Sequence, residues 1–336
     1  MVADDQFESV VGVMKEAVSV GLPSTVGHNF FEDLESRFVK INRQACPTGL
    51  QKLDSKSILQ GGLARGELGV VVANTGVGKS HWLVAMGAAA LKAGKTVVHY
   101  TLELQDTIIG TRYDSCITGY PLSDIRNFKD EVYDEIKNIE GSLIVKEYPT
   151  KSANTNTIRA HLSRLIKRGI KPGMIIVDYA DLLKPVTVRK EKRNELESIY
   201  EELRAISTEF QCPIWTASQT NRSGLSAEVI TMEQISEAFN KCFVADFIFS
   251  VSRTIEDKQN NQGKIFIAKN RNGPDGMVYN IFMDTSNVKI KILPKAVTSP
   301  LAASGQTAPV VTSPVSLSPK MQQDLLRNKY AKLKRK

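Results

Sequence analysis

Residues 69–86 read GVVVANTGVGKSHWLVAM, and the order of residue types in them decides the fold. The β-branched run Val70, Val71 and Val72 predicts a buried strand, and the apolar residues after Ser80 predict a helix. Between the two stand Ala73, Asn74, Thr75, Gly76, Val77, Gly78, Lys79 and Ser80, a phosphate-binding loop with alanine where its first glycine usually stands. Gly76 and Gly78 let the backbone turn so that successive N–H groups face a polyphosphate, and the helix adds its positive end. Lys79 is placed to reach the β- and γ-phosphates, and Ser80 to hold Mg²⁺. A glycine-rich structural turn is the competing explanation. The strand before the loop and the helix after it favour a nucleotide.

Working outward, the chain has 336 residues, room for one large α/β domain with appendages or for two small domains. Its 42% hydrophobic and 24% charged residues give the balance of an ordinary water-soluble chain. No run approaches the roughly 18 apolar residues that a membrane span needs, and no basic-then-apolar leader opens the sequence. Cys46, Cys116, Cys212 and Cys242 lie in no metal-ligand or redox spacing, which fits thiols in a reducing cytoplasm. The net charge of +8 invites a nucleic-acid reading, but residues 320–336 carry seven basic side chains and one acid. That segment accounts for +6, so bulk charge says little about the rest, and any nucleic-acid argument rests on local groups.

Helical spacing marks residues 5–20 and 29–40, separated by GLPSTVGH; Phe30, Phe31, Leu34 and Phe38 form one apolar stripe. That stripe suits either the protein's own core or a neighbouring subunit. From about residue 46, short apolar runs alternate with helical segments, the mark of a mostly parallel sheet. Strands are expected at 68–73, 95–104, 142–148, 173–178, 212–218 and 245–252, followed by a hairpin of 263–269 and 277–283. Four segments result: N-terminal helices over 1–44, an ATPase domain over 45–294, a disordered Pro/Ser/Thr/Ala-rich linker over 295–319, and a basic helix over 320–336.

Nucleotide hydrolysis needs a metal-holding carboxylate, a group that orients water and a sensor of the γ-phosphate. Asp178 follows the apolar run MIIV and is poorly explained as surface decoration; it is the natural metal partner. Glu103, between Leu102 and Leu104 at the end of the next strand, is expected to be semi-buried and to align the attacking water; the bland alternative is a helix-start acid. Gln219 ends the strand PIWTAS, where an amide can bridge the γ-phosphate and a moving loop. In KNRNGPDG, residues 269–276, Lys269 and Arg271 sit two apart at a hairpin tip and so point to one side. Either they are a solvated charge, or they reach a neighbour's nucleotide, where an arginine supplied in trans accelerates hydrolysis by about 10³–10⁵-fold.

The order of TGLQKLD…GGLARGEL, ANTGVGKS, TLEL, IIVDYADLL, ASQTNR and IAKNRNGPDG resembles the motor domain of DnaB-type replicative helicases over roughly residues 45–292. The phosphate loop is shared by many ATPases; SQ-x-NR followed by K-x-RNGP is specific to this group. The resemblance implies an α/β, RecA-like core with a mostly parallel sheet, assembled as a homo-hexameric ring with ATP (or another NTP or dNTP) and Mg²⁺ between subunits. It gives Lys79 and Ser80 the phosphate and magnesium roles, Glu103 that of catalytic glutamate, Asp178 that of metal aspartate and Gln219 that of γ-phosphate sensor. Lys269 and Arg271 become the pair reaching into the adjacent site. Two loops would line a channel for single-stranded or forked DNA: one with Arg189, Lys190, Lys192 and Arg193, the other with Arg222, Ser223 and Gly224. Such binding is sequence-tolerant and weakens with salt.

Set against the family, the resemblance leads one to expect a motor without the usual N-terminal helical domain or a primase-like region, its N-terminal helices a remnant of the ring-forming linker, as in compact bacteriophage helicases. The expected setting is the cytoplasm, that of the host if a phage encodes the chain, with a primase, a helicase loader or another replisome protein as partner and no membrane. A RecA-type recombinase or mediator and a KaiC-like regulatory ATPase share the core and stay open as alternatives.

Overall fold

The computed structural model describes residues 29–31, 43–189, 191–220 and 242–297. The chain divides into two units, Met1–Gln44 and Ala45–Lys336. In the first, Phe30 and Phe31 are exposed and meet edge to face at 5.3 Å. Leu34, Phe38, the helix expected over 5–20 and most of 29–40 fall outside the described residues, as do the linker beyond 297 and the basic helix at 320–336.

The second unit is built on β1 (Leu68–Ala73), α1 (Lys79–Lys92), β2 (Thr96–Thr101), α2 (Asp106–Thr118), α3 (Lys129–Ile136), β3 (Ser142–Glu147), α4 (Thr155–Lys167), β4 (Met174–Asp178), α5 (Lys192–Glu209), β5 (Ile214–Gln219), β6 (Phe247–Ser252), α6 (Ile255–Gln259), β7 (Gln262–Asn270), β8 (Val278–Asp284) and β9 (Lys289–Val297). Among the described residues these strands form one sheet in the order β3-β2-β4-β5-β1-β6-β7-β8-β9. The six from β3 to β6 are parallel, and β7 to β9 continue antiparallel. Helices cover both faces of the parallel part. Val71 and Ala73 pack with Trp82, Trp215, Phe247 and Phe249 on one face; Val70 and Val72 pack with Ile199, Leu203 and Ile206 on the other. Burial on both faces explains why these strands read as continuous apolar runs rather than as an alternation.

Three departures from the sequence reading have physical causes. First, β2 ends at Thr101, short of the expected 104. The Thr101 hydroxyl donates to the Leu104 carbonyl at 2.7 Å and accepts from the Leu104 N–H at 3.2 Å, closing a local turn that overrides the alternating TLEL pattern. Second, Glu103 would stand one strand from the loop only if β2 lay close to β1, and it does not: β4 and β5 lie between them, because parallel crossovers need not join neighbouring strands. Third, β9 was not expected: KIKILPKAV alternates as a half-buried strand does, but it holds a proline and its outward positions are lysines. An edge strand tolerates both, and the β8–β9 register shifts between Tyr279 and Ile281, opposite the Pro294 region. No helix among the described residues is long and apolar enough to cross a membrane.

Candidate functional site

The phosphate loop leaves β1 at the C-terminal end of the parallel strands, where ligands of such sheets bind. Gly76 and Gly78 have φ of +72° and +104°, and Gly78 forms the N-cap of α1 in the left-handed conformation. A Cβ there would also strike the Met283 methyl on β8. No side chain caps α1 and its first turn holds no acid, so its leading N–H groups are left for an anion. The Thr220 hydroxyl donates to the Asn74 side-chain oxygen and ties the loop to the chain just after β5.

Asp178 and Gln219 are the last residues of β4 and β5, as their apolar runs foretold. Asp178 is 1% exposed, and neither carboxylate oxygen completes a hydrogen bond. Burial pushes its pKa up to about 6; the neighbouring Ser80 hydroxyl, Arg112 and Lys79 pull it down, while Glu103 pushes it further up. A buried, unsatisfied carboxylate beside the loop serine is a place a cation would satisfy. The Gln219 amide donates to the Thr75 hydroxyl at 2.6 Å, its side-chain oxygen accepts from the Tyr179 hydroxyl at 3.3 Å, and its N–H donates to Asp181 at 3.2 Å. The Lys79 ammonium stands 5.2 Å from the Tyr179 ring centre. Tyr179 therefore touches both the phosphate lysine and the candidate sensor. Its place beside Asp178 in IIVDYADLL was the signal that could have found it.

Glu103 corrects an expectation. It is exposed rather than semi-buried, because the Thr101 turn swings it out of the strand. It still arrives at the site: the Leu102 N–H donates to the Asp178 carbonyl at 2.9 Å, and the Glu103 charge acts on Asp178, Tyr179 and Arg112. Arg112 on α2 was missed in the sequence; it makes no hydrogen bond or ion pair among the described residues and lies within electrostatic reach of both carboxylates.

Lys269 and Arg271 lie elsewhere. Phe247 on β6 pairs with Asn270 on β7, so the pair sits beside the N-terminal ends of β6 and β1. The six-residue β1 separates those ends from the loop by roughly 20 Å at about 3.3 Å per residue. Arg271 pairs with Asp246 at 3.3 Å and stays 44% exposed; the Lys269 ammonium bonds the Phe243 carbonyl and lies 4.2 Å from that ring's centre. Neither can serve its own subunit's loop. The tip is also no free projection: Asn270 donates to the carbonyls of Ile58 at 3.1 Å and Pro274 at 3.2 Å, and Asn272 donates to Glu67 at 3.0 Å.

Of the expected DNA contacts, Arg189, Lys192 and Arg193 are exposed between the end of β4 and the first turn of α5. The Arg189 N–H is held by Glu195 at 3.0 Å. Lys190, Arg222, Ser223 and Gly224 fall outside the described residues.

The model of the DnaB-like helicase C-terminal domain matches residues 45–288. The chain belongs to this family. A DnaB-like replicative helicase of Enterobacteria phage T4 is 31% identical over 278 residues, 79% of this chain and 58% of its own length. The replicative DNA helicase DnaB of Geobacillus stearothermophilus is 27% identical over 254 residues, 72% of this chain and 55% of its own. The chain thus spans little more than half the length of these relatives. A solved DnaB-like replicative helicase, described with its primase interactions, superposes with a TM-score of 0.66 at 19% identity, covering 86% of this chain and 74% of its own. A solved ATPase domain gives 0.65 at 19% identity, with 99% of its length covered. The RecA-like fold of the DnaB family follows.

Proposed function

We propose that this chain is the NTP-driven motor of a ring-forming replicative helicase that moves on single-stranded DNA and opens duplex at a fork. The observation that carries the reading is the split of the site: phosphate loop, metal partner and sensor at one end of the sheet, arginine and lysine at the other. A single subunit holds both halves and can join neither to the other, whereas a head-to-tail ring of six joins each pair.

Within that reading, Lys79 and the loop N–H groups bind the β- and γ-phosphates of ATP or another nucleoside triphosphate. Ser80 and Asp178 would hold Mg²⁺, which neutralises charge on the phosphates when bound. Among the described residues no cluster of three or more His, Cys, Asp or Glu side chains is set to hold a metal alone, so the cation would bind together with the nucleotide. Glu103 takes the proton of the attacking water, reaching it from solvent rather than from a buried pocket. Gln219, tied to Thr75 and Tyr179, reports the γ-phosphate to the loop after β5, which contacts DNA together with Arg189, Lys190, Lys192 and Arg193. A primase or loader would dock on the assembled ring.

A strand-displacement assay on forked DNA, with each single-stranded tail omitted in turn, tests this. Nucleotide-dependent unwinding that requires one particular tail is expected. Hydrolysis indifferent to DNA, with no strand released from any substrate, would contradict it and favour a regulatory ATPase.

A further inference from the structure

Asp246 is 4% exposed, and its two carboxylate oxygens carry four contacts. One oxygen accepts from the Leu68 N–H at 2.9 Å and from Arg204 Nε at 3.3 Å; the other takes Arg204 Nη2 at 3.1 Å and Arg271 Nη1 at 3.3 Å. The main chain is tied as well. The Asp246 N–H donates to the Leu68 carbonyl at 2.8 Å, and the Asp246 carbonyl accepts from the Arg271 N–H at 2.9 Å. Arg204 stands on α5, which the buried Leu203 and Ile206 fix to the sheet. The carboxylate therefore cannot turn.

A buried carboxylate needing only satisfaction would have it from Leu68 and the two Arg204 nitrogens. The ion pair with Arg271 is additional, and it engages one nitrogen of a guanidinium for which no side-chain hydrogen bond is seen among the described residues. Two arginines, Arg204 and Arg271, meet this one carboxylate, and Lys269, bonded to the Phe243 carbonyl, lies within its electrostatic reach, so basic groups gather on this side of the sheet. A half-exposed guanidinium held at one nitrogen suits an incoming triphosphate.

We propose that Asp246, locked by Arg204, is the positioning residue that sets Arg271 for entry into the neighbouring subunit's nucleotide site. This rests on the trans role given to Arg271 above. Asp246 touches no nucleotide; it holds one edge of the guanidinium so that the remaining donors face outward in a fixed geometry. Small misplacements of such a group cost rate, on the order of 10²-fold for about 1 Å.

The experiment is ATP hydrolysis by Asp246→Asn, alone and mixed with excess Lys79→Ala subunits, with Arg271→Ala run in parallel. Alone, Asp246→Asn is expected to lose roughly 10–100-fold in kcat with KM for ATP changed less than about twofold. In the mixture its intact phosphate loop receives a well-placed Arg271 from Lys79→Ala neighbours, and hydrolysis per Asp246→Asn subunit recovers several-fold. Wild-type kcat in the variant overturns the proposal. So does a loss that Lys79→Ala subunits fail to rescue while they rescue Arg271→Ala, since Asp246 would then act only inside its own subunit. Failure of both variants to be rescued removes the trans role of Arg271 itself. If Asp246→Asn does not fold, the half-exposed Arg204→Gln decides: a rescued loss supports the proposal, and a wild-type rate overturns it.

Discussion

Asp178 was legible because a carboxylate directly after four buried apolar residues has few reasons to be there; its contacts were not, since they come from residues far along the chain. Gln219 and Thr75 are 144 positions apart, and no local pattern announces their bond. Glu103 was found by its place and misjudged in burial, because a threonine turn outweighed the alternation around it. At this scale Glu103→Gln is expected to bind nucleotide as the wild type does and to hydrolyse it at least about 10²-fold more slowly, as for loss of a general base. Unchanged turnover, read beside a binding titration, would remove Glu103 from the mechanism. A second residue-scale effect lies beneath α1. His99 is fully buried, shares a 3.0 Å hydrogen bond between Nδ1 and the Tyr113 hydroxyl, and is held down to about 3, first by burial and then by Arg112. The folded protein refuses a proton that the unfolded chain accepts below about 6.5, so this contribution is complete above that pH and is lost as pH falls towards 3. Urea unfolding across that window should show a pH slope shallower in His99→Gln by about one proton, or about 1.4 kcal/mol per pH unit. Identical slopes would contradict the assignment.

The parallel strands were readable as elements because burial on both faces forces apolar runs of fixed length, and the βα alternation predicts their direction. The hairpin of β7 and β8 was readable from its RNGPDG turn. Its docking was not, since Ile58, Gln60 and Glu67, which receive the tip, belong to a loop without periodicity. That docking makes the hairpin a rigid carrier for Arg271 rather than a flexible arm. Asn270 is the pin: it is 8% exposed, donates to two carbonyls and accepts from the Asn272 N–H at 3.0 Å. Asn270→Ala leaves those partners unpaired and should cost about 1–3 kcal/mol in stability by thermal or urea unfolding. At a temperature where the variant is still folded, kcat should fall while KM for ATP holds. A variant as stable and as fast as the wild type would show that the tip needs no anchor.

For the whole molecule, the main unit contains a RecA-like sheet with the phosphate loop at one end and Lys269 and Arg271 at the other, and that separation is what supports the proposed assembly. The sequence picked out both groups of residues as candidates, but their separation by the length of β1 needed the strand order, which no single-chain pattern encodes. The proposed DNA binding belongs to this scale too, because on that reading the channel loops act only when several subunits present them together. Neutralising Arg189, Lys192 and Arg193 to Ala should weaken single-stranded DNA binding and flatten its salt dependence. If all three contact phosphates in each engaged subunit, the log–log slope should drop by about 2 per subunit. An unchanged slope would move the DNA path elsewhere. Whether Arg271 acts in trans is decided by the position of its guanidinium in the assembled protein with a non-hydrolysable triphosphate bound. It is expected within hydrogen-bonding reach of the γ-phosphate held by Lys79 of the adjacent subunit. A filled site with Arg271 facing solvent, away from every nucleotide, would contradict the trans role.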